Sequence, residues 1–91
     1  MYELLPSPHF QRRLRVFLKR NRQLAGRVDR TLRDLREDPF QPHLQTHPLH
    51  GPLAGLHGVS VTRDYRIVMT IRVTEREIQL LDIGTHDDVY R

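Results

Sequence analysis

The stretch that decides the fold runs from Val59 to Gly84 and reads VSVTRDYRIVMTIRVTEREIQLLDIG. Apolar and polar residues alternate along it, with turn-like breaks at Arg63 and Asp64 and again at Thr74 and Glu75. Successive side chains of a strand point to opposite faces, and strands joined by short connections run antiparallel. The pattern therefore predicts three neighbouring antiparallel strands. The more apolar face carries Tyr65, Ile67, Met69, Ile71 and Val73, and the other carries Arg66, Val68, Thr70 and Arg72.

Upstream, the spacing changes to that of helices. Pro6, Ser7 and Pro8 mark a helix start after a short strand-like segment, and Pro39 ends the helical region. Between them, apolar residues recur at helical spacing in two stripes, separated by a turn near Gly26. These residues are Phe10, Leu14, Phe17 and Leu18, then Leu24, Val28, Leu32 and Leu35. The expected fold is one α+β domain over residues 1–91, with two N-terminal helices packed on an antiparallel sheet in the order β-α-α-β-β-β.

The amino-acid composition limits the kinds of function that the protein can have. The chain has no cysteine, which removes disulfides and thiolate chemistry. It shows neither a secretion signal nor a long apolar run, so we expect a cytoplasmic protein that does not associate with a membrane. Fifteen Lys and Arg oppose eleven Asp and Glu, and every cation except Lys19 is arginine. Guanidinium groups bind phosphate and carboxylate in a bidentate fork, which points to a nucleic acid or an acidic protein as partner, although a basic solvated helix surface explains the same composition.

Histidine is concentrated in the segment between the helices and the strands. His43, His47, His50 and His57 lie among prolines and glycines in a long predicted loop. The prolines oppose a helix that would align three histidines, and no carboxylate lies between Asp38 and Asp64 to complete a first shell. We therefore predict no metal site and no cofactor.

The predicted order of the strands brings a second group of polar residues together. Asp64 lies at the first turn, Arg66 begins the next strand, and His86 and Tyr90 follow the last strand. We expect Asp64 and Arg66 to approach His86, with the histidine-rich loop closing over them. A base, an acid and a cation are what metal-free phosphodiester cleavage requires. Taken singly, Asp64 is also an ordinary turn residue, and Arg66 is also explained as a half-buried strand residue that extends its charge to solvent.

Four segments carry a family resemblance. The order SPHF (7–10), HPLHGPLAGLHG (47–58), RDYRIVMTI (63–71) and LLDIGTHDDVY (80–90) resembles the RelE/ParE superfamily of type II toxins, and within it the RelE and YafQ mRNA interferases. The resemblance spans nearly the whole chain, and its most specific pieces are the C-terminal segment and the loop motif.

The resemblance implies an endoribonuclease that cuts mRNA in the ribosomal A site by attack of the ribose 2'-OH, and that a cognate antitoxin neutralises in a hetero-oligomeric complex. It implies that His86 is the general acid, that Arg66 stabilises the transition state and that Tyr90 contacts the base or phosphate. His47 and Asp64 match the loop histidine and the acid before the aromatic residue. Where the YafQ pattern has a second strand histidine this chain has Ser60, which leaves the general base open between Asp64 and His47.

Four further residues are predicted to contact RNA: Arg63, His50, Tyr65 and Arg91. Two other functions remain open. One is a non-enzymatic ParE-like toxin that binds DNA gyrase, a branch that lacks the catalytic His and Tyr. The other is a decayed member that only binds antitoxin, which the serine at position 60 favours.

Overall fold

The structure is a computed structural model, and it describes residues 1–90. Five strands and three helices follow one another in the chain. They are β1 (Glu3–Pro6), α1 (Pro8–Arg20), α2 (Ala25–Glu37), β2 (His47–Pro48), β3 (His57–Ser60), β4 (Tyr65–Arg72), β5 (Glu77–Thr85) and α3 (His86–Val89). Single 3₁₀ turns join some of them, at Arg22–Leu24, Pro42–Leu44 and Gly51–Leu53. The α+β class and the order of helices before the meander are confirmed. None of the helices in residues 1–90 has the length and apolar character needed to cross a membrane.

The sheet is mixed rather than purely antiparallel. Its strand order is β1-β5-β4-β3-β2, in which β1 pairs parallel to β5 and all other neighbours are antiparallel. The hairpin rule applies only to strands joined by short turns, and β1 reaches β5 only after the helix pair and the meander. The short strand β2 and the C-terminal helix α3 are additions to the predicted order.

Local sequence explains how the first two helices begin and end. The Ser7 side chain accepts a hydrogen bond from the Phe10 amide at 3.0 Å, and Pro8 is the first helical residue, as the sequence predicts. Helix α2 ends at Glu37, two residues before Pro39, because a proline disfavours helical geometry in the residue that precedes it.

The two faces of the sheet are covered differently. Helices α1 and α2 cover one face and enclose the main core, in which Phe10, Leu35, Ile67 and Ile83 are at most 1% exposed. The side chain of Val68 points to the other face, where it forms a second cluster with Leu49 and Val89. The loop after α2 and helix α3 therefore meet on the face that the two long helices leave open.

Candidate active site

A cavity of about 270 Å³ lies where the histidine-rich loop meets α3. His47 and His50 line it from the loop, and His86 and Tyr90 line it from the C-terminal segment. Leu49 and Leu53 form part of its apolar wall. Residues about forty positions apart in the chain thus share one pocket, which contains three imidazoles and one phenol.

The position of His86 is set by the start of α3. Thr85 caps the helix: its side chain accepts from the Asp88 amide and the Asp88 carboxylate accepts from the Thr85 amide, both at 3.2 Å. His86 is the first helical residue, and its side chain is 66% exposed. Its ring meets Tyr90 edge to face, with centroids 4.4 Å apart. The capped turn therefore holds an exposed imidazole at the cavity.

Gly84 gives α3 room to pack against the sheet. It lies within β5, and a Cβ placed on it would approach the Cβ of Asp88 to 2.9 Å and the Arg13 guanidinium to 3.3 Å. Arg13 in turn pairs with Asp82 at 3.5 Å and with Asp88 at 3.9 Å. The absence of a side chain at Gly84 therefore allows α3 to lie close to β5.

The Tyr90 hydroxyl points inward. It is buried, packs directly against Gly58 in β3, and has no hydrogen-bond partner within residues 1–90. Burial raises the pKa of Tyr90, and the nearby positive charge of Arg66 opposes that rise. The phenol is therefore neutral near pH 7, and its hydroxyl is covered by Gly58.

His47 is oriented by the backbone of its own loop. Its Nδ1 lies 2.9 Å from the carbonyl oxygen of Gln45. A carbonyl oxygen only accepts, so Nδ1 donates and the neutral ring keeps its lone pair on Nε2. This assignment of the proton follows from the hydrogen bond, and it prepares Nε2 to act as a base.

Arg66 is held on the side of the sheet that carries Tyr90. One of its terminal nitrogens, Nη1, donates to the Ser60 hydroxyl at 3.3 Å and to the carbonyls of Thr62 at 3.4 Å and Arg63 at 3.2 Å. Ser60, which stands where a second histidine was expected from the resemblance, therefore helps to orient the arginine. The remaining nitrogens of Arg66 form no hydrogen bond with any described residue.

Within residues 1–90, no hydrogen bond or ion pair joins Asp64 to His86. Asp64 is exposed in the bend before β4, where its amide donates to the Thr62 hydroxyl at 3.2 Å, and it does not line the cavity. The bend turns the carboxylate toward solvent, and its geometry is that of an ordinary Asp-containing turn.

Three of the four predicted RNA-contact residues belong to the described part of the chain, and they lie in different places. His50 lines the cavity, and Arg63 is exposed beside Arg66. Tyr65 lies on the helix-covered face, where its ring packs edge-on against Phe17 at 4.8 Å and its hydroxyl donates to Asn21 at 3.3 Å. This packing gives Tyr65 a structural role, and Tyr65 does not line the cavity of His47 and His86. Arg91 lies outside the described residues.

Two features of the site were missed at the sequence level. The first is the contact of Tyr90 with Gly58, for which a glycine inside a strand was the available signal, since such a residue often marks a close approach. The second is His57, whose Nδ1 is buried without a partner in residues 1–90 and whose pKa is lowered, mainly by burial and also by His47. In the part of the chain that the structure describes, no three His, Asp or Glu side chains are grouped in a way that would hold a metal ion.

Comparison with known proteins gives structural matches only. No family model and no curated protein matches the chain. The fold is similar to that of YafQ from E. coli strain BL21(DE3), with a TM-score of 0.83, 15% identity and full coverage of both chains. It is also similar to a metal-bound toxin from Helicobacter pylori, with a TM-score of 0.80, 24% identity and coverage of 98% of this chain and 99% of that one.

A third similar structure is the toxin-antitoxin complex RelBE2 from Mycobacterium tuberculosis. Its TM-score is 0.73 at 22% identity, and the match covers 93% of this chain and 98% of that chain. All three matches extend over nearly the whole of both chains, and they agree with the resemblance carried by the sequence motifs. This chain has the fold of the RelE/YoeB/YafQ superfamily of toxins.

Proposed function

We propose that this protein is the toxin of a type II toxin-antitoxin pair and that it acts as an endoribonuclease on mRNA in the ribosomal A site. The observation that carries the proposal is the shared cavity of His47, His86 and Tyr90. Two imidazoles and a phenol face one space, and the charge of Arg66 is close enough to affect Tyr90. The fold shared with toxins supports the same assignment.

In this proposal His47 is the general base. Its Nδ1–H is held by the Gln45 carbonyl, so Nε2 accepts the proton of the ribose 2'-OH as that oxygen attacks phosphorus. Asp64, the other residue left open at the sequence level, lies outside the cavity and is not assigned this role. An imidazole is also better suited than an exposed carboxylate, because its ordinary pKa lies near neutrality.

His86 is the general acid. It begins the reaction protonated and donates its proton to the 5'-oxygen as the bond from phosphorus to that oxygen breaks. The products are a 2',3'-cyclic phosphate and a 5'-OH end, and the reaction leaves His47 protonated and His86 neutral. A return of one proton through solvent restores both residues, which the exposure of both side chains permits.

Arg66 and Tyr90 stabilise the charge that develops on the phosphorane. Arg66 is restrained through Nη1 and keeps its other donors available, and Tyr90 contributes a neutral hydroxyl once its ring has turned away from Gly58. Positioned donors of this kind contribute about 10²- to 10³-fold in rate each. His50, at the edge of the cavity, is placed to contact a neighbouring nucleotide.

Primer extension on mRNA in a purified translation system tests the proposal. We expect cuts in the A site with wild-type protein, cyclic-phosphate ends on the upstream fragment, and about 10²-fold or greater loss in the His86→Ala variant. A gyrase supercoiling defect without RNA cleavage would instead indicate the gyrase-binding alternative. Antitoxin binding with neither activity would indicate a decayed toxin.

A further inference from the structure

A second and larger cleft opens on the other side of Arg66. It has a volume of about 460 Å³ and lies between α2, the segment after α2 and the bend that joins β3 to β4. Four arginines line it: Arg27 and Arg30 from α2, Arg63 from the bend, and Arg66 from β4. The two helical arginines are three residues apart and so share one face of α2.

Positive charge is in excess in this cleft, because its lining within residues 1–90 carries four arginines and one carboxylate. That carboxylate belongs to Asp34 and lies 2.9 Å from the His43 imidazole. No carboxylate within residues 1–90 forms an ion pair with any of the four arginines. Three other described arginines do form ion pairs: Arg13 with Asp82 at 3.5 Å, Arg33 with Asp29 at 3.0 Å and Arg72 with Glu75 at 3.3 Å. Convergence of unpaired guanidiniums in a concave site raises the local positive potential and favours an anion.

The guanidiniums are also partly oriented in advance. Arg27 donates through Nη2 to the Val61 carbonyl at 3.1 Å, and Arg66 donates through Nη1 to the carbonyl of Arg63. Backbone carbonyls hold these side chains without neutralising them, because a carbonyl carries no net charge. A planar fork restrained in this way loses less entropy when it binds an anion bidentately.

Arg66 lies close to both the cleft and the active-site cavity. It lines the cleft and donates to Ser60, which is two residues after Gly58 in β3, and Tyr90 of the cavity packs against Gly58. We propose that the four-arginine cleft binds backbone phosphates of the RNA strand on one side of the cut, so that the strand passes from the cavity over Arg66 to Arg30 and Arg63. This inference rests on the proposed function, because the bound strand is the substrate of the cavity. The occupant is an RNA strand rather than an acidic protein segment because Ser60 and Arg66, which line the cleft, lie next to the part of β3 on which Tyr90 of the proposed cleavage site packs.

Fluorescence anisotropy tests the inference with a single-stranded RNA that is 2'-O-methylated throughout and therefore cannot be cleaved by 2'-OH attack. Arg30→Gln and Arg63→Gln alter exposed side chains for which no described residue is a partner, so the fold is expected to survive, and thermal unfolding checks this. Arg12→Gln is the matched control, since Arg12 is exposed on α1, outside the cleft, and its replacement removes the same charge.

Each cleft variant should weaken RNA binding roughly ten-fold and reduce the slope of log K against log salt by about 0.7, whereas the control should change affinity by less than about two-fold. An equal loss in Arg12→Gln, or no loss in Arg30→Gln, would overturn the cleft assignment. Displacement of the RNA by polyglutamate at equal or lower concentration than by unlabelled RNA would assign the cleft to an acidic protein segment and also overturn it. Because the probe cannot be cut, failure of cleft binding is observed separately from failure of cleavage.

Discussion

The rings of His86 and Tyr90 meet edge to face, with their centroids 4.4 Å apart and their planes at 86°. His86 is the first residue of α3, and Tyr90 is the residue that follows the end of this helix. The contact therefore links an exposed imidazole to a phenol whose hydroxyl is buried against β3. The orientation of the His86 side chain therefore depends on the position of the Tyr90 ring. A change beneath Tyr90 should disturb the proposed acid without touching it.

Gly58 provides such a change. A Cβ at this position would overlap the Tyr90 hydroxyl and approach Leu49 to 3.3 Å. We expect Gly58→Ala to destabilise the protein by about 1–3 kcal/mol through overpacking and to lower cleavage further by displacing Tyr90. Urea denaturation and a cleavage assay measure the two effects. Gly26→Ala is the control, because nothing lies within 4 Å of a Cβ there; comparable losses in both variants would contradict the proposed seating.

The cap of α3 offers a second perturbation. Thr85→Ala removes the hydroxyl that accepts from the Asp88 amide, and loss of such a cap costs about 1 kcal/mol. We expect α3 to fray and cleavage to fall, because His86 is the first residue of that helix. Thr85→Ser keeps the hydroxyl and should retain near wild-type activity. Hydrogen exchange of the Val89 and Tyr90 amides reports the fraying, and an unchanged exchange rate in Thr85→Ala would argue against this role of the cap.

Replacement of Arg66 should lower the rate of RNA cleavage much more than replacement of Ser60. Arg66→Ala removes the cation proposed to stabilise the phosphorane and should lower cleavage by about 10²- to 10³-fold while changing antitoxin affinity far less. Ser60→Ala removes one of the three acceptors of Nη1 and should produce a much smaller loss, since the Thr62 and Arg63 carbonyls remain. Single-turnover cleavage and antitoxin titration measure both properties. A larger effect of Arg66→Ala on antitoxin affinity than on cleavage would make Arg66 an interface residue.

His57 gives a pH prediction for stability. Burial lowers its pKa below the ordinary value of 6.5, so between the two pKa values the unfolded chain binds more protons at this residue than the folded chain. The contribution of His57 to stability is therefore complete above about pH 6.5 and is lost as the pH falls toward the folded pKa. His57→Phe keeps an aromatic ring against Phe40, which lies 6.4 Å away, and removes the titration.

Urea denaturation between pH 8 and pH 5 tests this prediction. The free energy of unfolding should fall more steeply with decreasing pH in the wild type than in His57→Phe. Parallel curves for the two proteins would show that His57 does not titrate differently in the folded and unfolded states.

Much of the fold was predictable because its signals are local. The Ser7 cap, the helical stripes and the alternation along β4 each depend on residues within a few positions of one another. The parallel pairing of β1 with β5 was not predictable in this way, because it joins segments more than seventy residues apart. The irregularity in β5 is likewise non-local: Val68 pairs with Asp82 while Met69 pairs with Leu80, which leaves Leu81 as an extra residue.

The sequence was enough to identify most residues of the candidate site, but it was not enough to predict how they are arranged in space. His47, His86 and Tyr90 were identified from the resemblance, and the structure adds that they line one cavity. Asp64 was expected at the site from its place at the turn before β4 and from the resemblance, and Tyr65 was expected to contact RNA. The bend exposes Asp64, however, and the alternation of β4 directs Tyr65 to the opposite face from Arg66.

The central claim is that His47 removes the 2'-OH proton and His86 protonates the leaving 5'-oxygen. An RNA with sulfur in place of that bridging 5'-oxygen tests it directly, because a thiolate leaves without a general acid. We expect His86→Ala to cleave this RNA at a rate close to that of the wild type while remaining at least about 10²-fold slow on ordinary RNA, and His47→Ala to stay slow on both. Equal slowness of His86→Ala on both substrates, or rescue of His47→Ala instead, would contradict the account.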